Sequence, residues 1–412
     1  VFDFDGDGKA EIATKTADGT TDGEGRVIGD AAADFRNSAG YVLAGPEYLT
    51  VFEGTTGRAL STVNYTPGRH PDTQNPTSAQ LNAIWGDGYG NRVDRFLATP
   101  AFLDGKHASI VMARGYYTRS TLAAWDFVDG KLQPRWLFDS AAQATPADWM
   151  GQGNHNLSTG DVDGDGRDEI IYGSMAIDDN GTGLWSAKSG GRKLGHGDAM
   201  HLSDLDPSHP GLERFGVHED FRGNGGVGAS LLDAATGAVL WTIAGDRDNG
   251  RGVAGDIDPR WPGAENWSSR HTGLADAKGN IVATPKPGPT NFLAYWDGDL
   301  QREFLDNITI SKWNPATNRV DTLLTMTGTV SGNGTKATPV LSGDILGDWR
   351  EEVVMAAADQ QSLRIYVTPW PTQYRFRTLT ADHIYRLGLA WQNVAYNQPP
   401  HLGFDLASRP SD

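Results

Sequence analysis

The stretch Asp161-Val-Asp163-Gly-Asp165-Gly-Arg167-Asp-Glu169-Ile170 limits what this chain can fold into more than any other, because its acidic spacing returns, whole or eroded, along most of the sequence. Asp161, Asp163 and Asp165 stand at alternate positions and can converge on one hard cation. Gly164 and Gly166 allow a tight curl, and Glu169 returns to close the shell. Arg167 is counted with them as a metal-site position. The order is that of an opening EF-hand loop, but the closing acid comes ninth rather than twelfth. Ile170-Ile171-Tyr172 are strand formers, which places this calcium loop between two strands rather than two helices.

The same pattern opens the chain, where Asp3, Asp5, Asp7 and Glu11 form a complete loop followed by a strand from Ile12 to Thr16. Phe102 to Val111 is a unit that has lost most of its acids. After Glu169 come Asp204 and Asp206 with Glu213, Asp256 and Asp258 with Glu265, Asp297 and Asp299 with Glu303, and Asp344 and Asp348 with Glu352. The closing acids from Glu169 onward are 44, 52, 38 and 49 residues apart, and four-stranded propeller blades run to about 40–50 residues each. Tyr48 to Leu60 reads as a hairpin about a Thr-Gly turn, and Gly228 to Trp241 repeats it. Seven units are countable. The expectation is an all-β, eight-bladed β-propeller forming one catalytic domain over residues 1–412, with the first blade missing upstream and any signal peptide out of view.

Composition narrows the partners. The net charge of −17 argues against nucleic acid or an anionic membrane surface, and bound cations would offset part of it. With 52 glycines, 13 tryptophans and no cysteine, the chain fits a turn-rich β protein held by metal rather than disulfides, as in a secreted bacterial protein. No apolar run is long enough to span a bilayer. Pro67 to Asn91 is too long for a simple turn, and excursions of that length in a compact body are functional or disordered.

Counting back from the loops locates candidate chemistry. His155 lies six positions before Asp161, His196 eight before Asp204, Arg251 five before Asp256, and Lys336 eight before Asp344. Four cationic or cation-capable residues at equivalent places predict an anion-binding centre. His155 also reads as a further calcium or water ligand, and His201 and His218 are weaker candidates. Taken singly, a histidine beside a loop is more often a packing residue and a lysine is usually solvated.

Asp5-Gly-Asp-Gly-Lys-Ala-Glu-Ile-Ala-Thr-Lys-Thr-Ala-Asp-Gly-Thr20, Gly195-His-Gly-Asp-Ala-Met-His201, Gly332-Asn-Gly-Thr-Lys336 and Ala395-Tyr-Asn-Gln-Pro-Pro-His401 together resemble the rhamnogalacturonan lyases of polysaccharide lyase family 11. The resemblance runs over essentially the whole chain. It implies an eight-bladed propeller with several calcium ions and a cleft for the rhamnose and galacturonate backbone of pectin, in a monomeric, secreted or periplasmic endolyase. It also implies that Asn333, Gly334, Thr335, Lys336 and Tyr396 contact the saccharide with Arg251 nearby, and that His155 and His196 join the calcium-site residues.

The implied reaction is β-elimination: a base removes the galacturonate C5 proton beside the carboxylate, and the C4 oxygen leaves. Calcium or arginine on the carboxylate stabilises the enolate-like state, and a positive environment favours a neutral lysine. Lys336 is the expected base, with His196 its competitor, Arg251 the carboxylate partner, and Tyr396 a saccharide contact or proton donor. Two alternatives are a hydrolase, which needs two carboxylates across the bond, and a non-catalytic calcium-dependent adhesion propeller.

Overall fold

Five acidic loops each join two neighbouring strands of a small antiparallel sheet, with the closing glutamate opening the later strand. The loop that opens the chain leads into its sheet's first strand at Glu11. Gly160 pairs with Glu169, Ser203 with Glu213, Gly255 with Glu265, Ala294 with Glu303 and Gly343 with Glu352. One carboxylate oxygen of each glutamate turns back and accepts a loop N–H. The acceptors Glu11, Glu169, Glu213, Glu265, Glu303 and Glu352 lie 2.9, 2.8, 2.8, 3.0, 2.8 and 2.9 Å from the backbone nitrogens of Phe4, Val162, Leu205, Ile257, Trp296 and Ile345. The glutamate therefore fastens the loop backbone whether or not a metal is present, satisfying an N–H that the turn would otherwise leave unpaired. In the eroded unit Ser109 takes the place opposite Ala101, and Asp168 from the next loop bonds Phe102 N at 2.7 Å instead.

The structure, a computed structural model, describes residues 1–409. Its larger sheets follow one another along the chain. The first has three strands, Glu11–Thr16, Tyr48–Glu53 and Ala59–Asn64. The second to sixth are four-stranded meanders that begin with Phe96–Ala101, Ser158–Gly160, Met200–Ser203, Gly252–Gly255 and Leu293–Ala294. In the seventh, Glu352–Ala357 pairs with Thr329–Val330 and Leu341–Gly343 on one side and Leu363–Tyr366 on the other. The hairpins expected at Tyr48 and Gly228 are present.

The sheets are held by apolar faces shared between neighbours. Leu49 and Val51 of the first sheet meet Ile110 and Met112 of the second, and Val111 and Ala113 from the opposite face of that strand meet Ile170 and Met175 of the third. This follows from the period-two alternation of a strand buried on both faces, as all of Ser109–Arg114 is. Phe215 with Ala254, Trp267 with Phe304, and Leu305 with Val353 continue the series.

The expected closed eight-bladed propeller is not found. Among the described residues there are seven larger sheets, each open, and no sheet closes into a barrel or pairs its edge with the next. The loop spacing measures the length of one meander, whereas closure depends on long-range contacts that spacing does not encode. The chain is also not purely β. Ser78–Trp85 is a helix with a Thr77–Gln80 capping box, and His383–Trp391 is a helix capped by Asp382. The latter packs on the first strands of the second and third sheets and on Leu341–Gly343 of the seventh.

Candidate active site

The four residues found by counting back sit just before the first strands of the third, fourth and fifth sheets and within the seventh, and the structure brings them together. Asp198, two residues past His196, is the hub. One oxygen lies 3.1 Å from His155 Nε2, and the other accepts from Lys336 Nζ at 2.7 Å. The His155 and His196 ring centres are 4.7 Å apart. His196 donates Nδ1–H to the Gly153 carbonyl at 2.7 Å, which fixes its tautomer and leaves the Nε2 lone pair free. That buried nitrogen has no hydrogen-bond partner and lies 3.6 Å from Glu219 Oε1.

The unpartnered His196 lone pair faces Glu219, and Glu219 and Asp198 are held together by a shared proton, whose place a cation would take. His155, His196, Asp198 and Glu219 bring one donor atom each within 4.8 Å of one another. Burial lowers the His155 pKa to about 3 and that of His196 to about 4, so both rings are neutral near pH 7, as metal ligands must be. Glu219 is pushed up, first by burial and then by its hydrogen-bonded neighbour Asp198. Burial opposes ionisation of Asp198 too, but the bonds from Lys336 and Glu219 hold it below its ordinary value.

Aromatic rings wall the cluster. Tyr116 and Tyr117 place their hydroxyls 2.9 and 3.2 Å from the two nitrogens of His155, and Tyr396 stacks on the other side with ring centres 4.0 Å apart. Lys336 Nζ lies 4.3 Å above the Tyr396 ring centre. Lys336 ends a short turn, Gly334–Lys336, entered through Asn333 at φ 54°. Asn333, Gly334 and Thr335 are exposed beside it.

Arg251 is placed differently from expectation. Its guanidinium donates to the Asp198 carbonyl at 3.0 Å, to the carbonyl and side-chain oxygens of Asn291, each at 3.0 Å, and to the Asn397 carbonyl at 3.4 Å. Only 6% of the residue is exposed. It therefore fastens the segments that carry Asp198 and Tyr396 and does not present itself to a ligand. His201 is wholly buried on its strand, and His218 bonds Ser230 at 2.8 Å, so neither joins the cluster.

The acidic loops divide into two kinds. Asp3, Asp5 and Glu11 gather as a three-donor group, as do Asp161, Asp163 and Glu169, and Glu169 forms a second group with Asp178 and Asp179. Glu169 Oε1 is buried without a partner, and burial with the charges of Asp163 and Asp161 raises its pKa to about 8, so this group fits a cation. Asp7 and Asp165 stay outside these groups and accept from the N–H groups of Lys9 and Arg167. The Arg167 side chain is not a ligand, since its guanidinium pairs with Asp179 at 2.9 Å.

The remaining loops carry basic side chains of their own. Lys312 Nζ lies 2.5, 2.7 and 2.9 Å from Asp297, Asp299 and Glu303, filling that group with an ammonium. His209 sits 2.9 Å from Glu213, while Lys278 is 3.4 Å from Asp206. Arg260 grips Asp258 at 2.6 Å beside Asp256 and Glu265, and Arg350 pairs with Asp348 near Asp344 and Glu352. Asp204, Asp256 and Glu265 each keep one buried oxygen without a partner.

Comparison with known proteins places the chain in a family. Residues 1–410 match the model for "Rhamnogalacturonan lyase family 11, C-terminal domain". The chain belongs to rhamnogalacturonan lyase family 11. It is 54% identical over 406 residues to the rhamnogalacturonan endolyase YesW of Bacillus subtilis and 52% identical over 423 residues to the exolyase YesX of the same species, covering 98% and 99% of this chain. The chain spans 62% and 66% of the length of these curated relatives. The crystal structure of YesW superposes with a TM-score of 0.92 at 53% identity, covering 100% of this chain and 67% of that one. A Bacillus licheniformis rhamnogalacturonan lyase gives 0.91 at 56% identity, covering 98% of this chain and 66% of its own.

In this family 11 chain, the loop spacing does not reach Asp198, Glu219, Tyr116 or Tyr117. Asp198 stands inside the Gly195-His-Gly-Asp motif with His196, and Glu219 follows His218 directly, so the signal for both is a neighbouring histidine. Asp178 and Asp179 belong to no loop pattern and reach Glu169 from the turn after the strand Met175–Ile177.

Proposed function

We propose that the chain cleaves the rhamnogalacturonan backbone of pectin by calcium-assisted β-elimination, leaving an unsaturated galacturonate end. The observation that carries the proposal is the meeting of Lys336 and Tyr396 with a four-donor His/Asp/Glu group at Asp198. A calcium ion held by His155, His196, Asp198 and Glu219 would bind the uronate carboxylate and stabilise the charge that develops when the C5 proton leaves.

Within that arrangement Lys336 is the base, taking the C5 proton with an amine freed from Asp198. Tyr396, whose pKa is raised mainly by burial, keeps its proton and serves as saccharide contact or donor to the C4 oxygen. Asn333, Gly334 and Thr335 touch the sugar from the exposed turn. Arg251 positions Asp198 and Tyr396 rather than binding the carboxylate itself. The Asp3 and Asp161 groups take structural calcium ions.

The wider assignment follows the same reading: one catalytic unit acting as a monomer, secreted or periplasmic, on an acidic cell-wall polysaccharide. With a net charge of −17, neither nucleic acid nor an anionic membrane is a partner. Among the described residues no helix is long and apolar enough to cross a membrane. Digestion of rhamnogalacturonan tests the reaction type, because elimination gives products that absorb in the ultraviolet and hydrolysis does not. Saturated products would refute elimination.

A further inference from the structure

The long excursion between residues 67 and 91 has no part in the chemistry above, yet it is built into the fold. Trp85 closes its helix, is fully buried, and donates Nε1–H to the Arg69 carbonyl at 2.8 Å, while Thr118 bonds the Trp85 carbonyl at 2.5 Å. This docking sets the chain just beyond the helix against the two site tyrosines. The Arg92 guanidinium stacks 4.2 Å from the centre of the Tyr117 ring. Among the described residues Arg92 makes no ion pair.

Arg92 lines a cleft of about 620 Å³ together with Tyr117, Arg192, Lys193, His196 and Glu219. Clefts that hold small ligands measure roughly 300–1,000 Å³. Arg192 is exposed and has no carboxylate partner among the described residues, and Lys193 is held by the Met150 carbonyl. Asp220 also lines the cleft, and Glu219 belongs to the donor cluster. Three cations thus line the cleft around the Tyr117 ring, which packs 4.4 Å from the His196 ring of the donor cluster.

We propose that Arg92, with Arg192 and Lys193 of the same cleft, forms an anionic-sugar subsite that binds the carboxylate of a second galacturonate, with Tyr117 as the platform under the chain. This rests on the rhamnogalacturonan reading. A backbone in which galacturonate alternates with rhamnose presents a carboxylate on every second sugar, so a polymer seated at the cluster carries its next charge along the cleft. Planar guanidinium groups suit carboxylates because they offer paired donors. The subsite recognises polymer length and charge and leaves the elimination step to Lys336.

Defined-length rhamnogalacturonan oligosaccharides test this with Arg92→Gln and, as an independent variant at an exposed position, Arg192→Gln. On substrates that carry two or more galacturonates KM rises about tenfold, equivalent to about 1.4 kcal/mol, with the loss in KM rather than kcat. On the shortest cleavable substrate the rise is about twofold or less, and Arg92→Lys recovers part of the difference. Equal losses on short and long substrates, a fall in kcat alone, or no change in either variant would overturn the subsite. Calorimetric binding of the same oligosaccharides separates the two readings. A wild-type protein that does not cleave refutes the lyase proposal, while its affinity relative to Arg92→Gln still decides the subsite.

Discussion

Lys336 Nζ donates to Asp198 Oδ2 at 2.7 Å, while the other oxygen of that carboxylate faces His155 Nε2 at 3.1 Å. One carboxylate thus joins the residue proposed to move the proton to the group proposed to hold the metal. A charge placed on the cluster side competes with the lysine for Asp198, so metal occupancy and the freedom of the amine are coupled through a single side chain.

Lys336→Ala should lower kcat by about 10²–10⁴-fold, the range for losing a general base, while oligosaccharide affinity changes little. Steady-state kinetics paired with calorimetric binding checks this. Near-full activity would remove Lys336 from the role of base and leave His196 as its competitor.

Calcium binding at the cluster should release protons. Glu219 is held protonated by burial and by Asp198, and a cation must displace that proton. Affinity should therefore rise from about pH 5 to about pH 8, and the apparent binding enthalpy should differ between buffers of different ionisation heat. His196→Ala should weaken this site and leave the Asp161 group intact. A pH-independent affinity would contradict the assignment.

Stability without calcium should fall as pH rises. Glu169 has a folded pKa of about 8, above its ordinary value, so the folded state binds the proton more tightly than the unfolded chain. Its contribution is fully present below the ordinary glutamate range and is lost as pH climbs towards about 8. Thermal melts in chelator should show Tm decreasing across that window, with a shallower slope for Glu169→Gln and for calcium-loaded protein. A Tm that does not fall across this window in chelator, or an equal slope in Glu169→Gln, would contradict it.

Lys312→Met should be destabilising by roughly 3 kcal/mol, because it leaves three carboxylates facing one another without their cation. Added calcium should restore part of the loss, since the variant opens a donor group that the ammonium fills in the natural chain. Thermal melts with and without calcium measure both effects. Unchanged stability would show that the lysine does not neutralise the group.

The loops and hairpins were legible because their signals are local. Alternating aspartates, paired glycines and a Thr-Gly turn lie within a dozen residues, and Glu169, Glu213 and their counterparts fall at the register that the spacing implied. Counting back reached His155, His196 and Arg251 because in the third, fourth and fifth sheets the first strand is only three or four residues long and leads straight into its loop. Lys336 instead lies between two strands of the seventh. Convergence across sheets was not legible. Glu219 leaves the second strand of the fourth sheet, Tyr117 the second strand of the second, and Lys312 reaches its loop from a third strand. Eight-fold closure failed for the same reason, since repeat length says nothing of how first and last sheets meet. The helix His383–Trp391 had a local signal in its Asp382 cap, which bonds Tyr385 N at 2.8 Å, but nine residues are too few to show a clear period.

The most direct test follows the absorbance of the unsaturated product when protein stripped of calcium is mixed with rhamnogalacturonan and calcium is then restored. The account predicts no rise in chelator, a rise that returns with calcium, and none at any calcium level for a His196→Ala, Glu219→Gln double variant that remains folded. Full activity in chelator, or in that double variant, would contradict it.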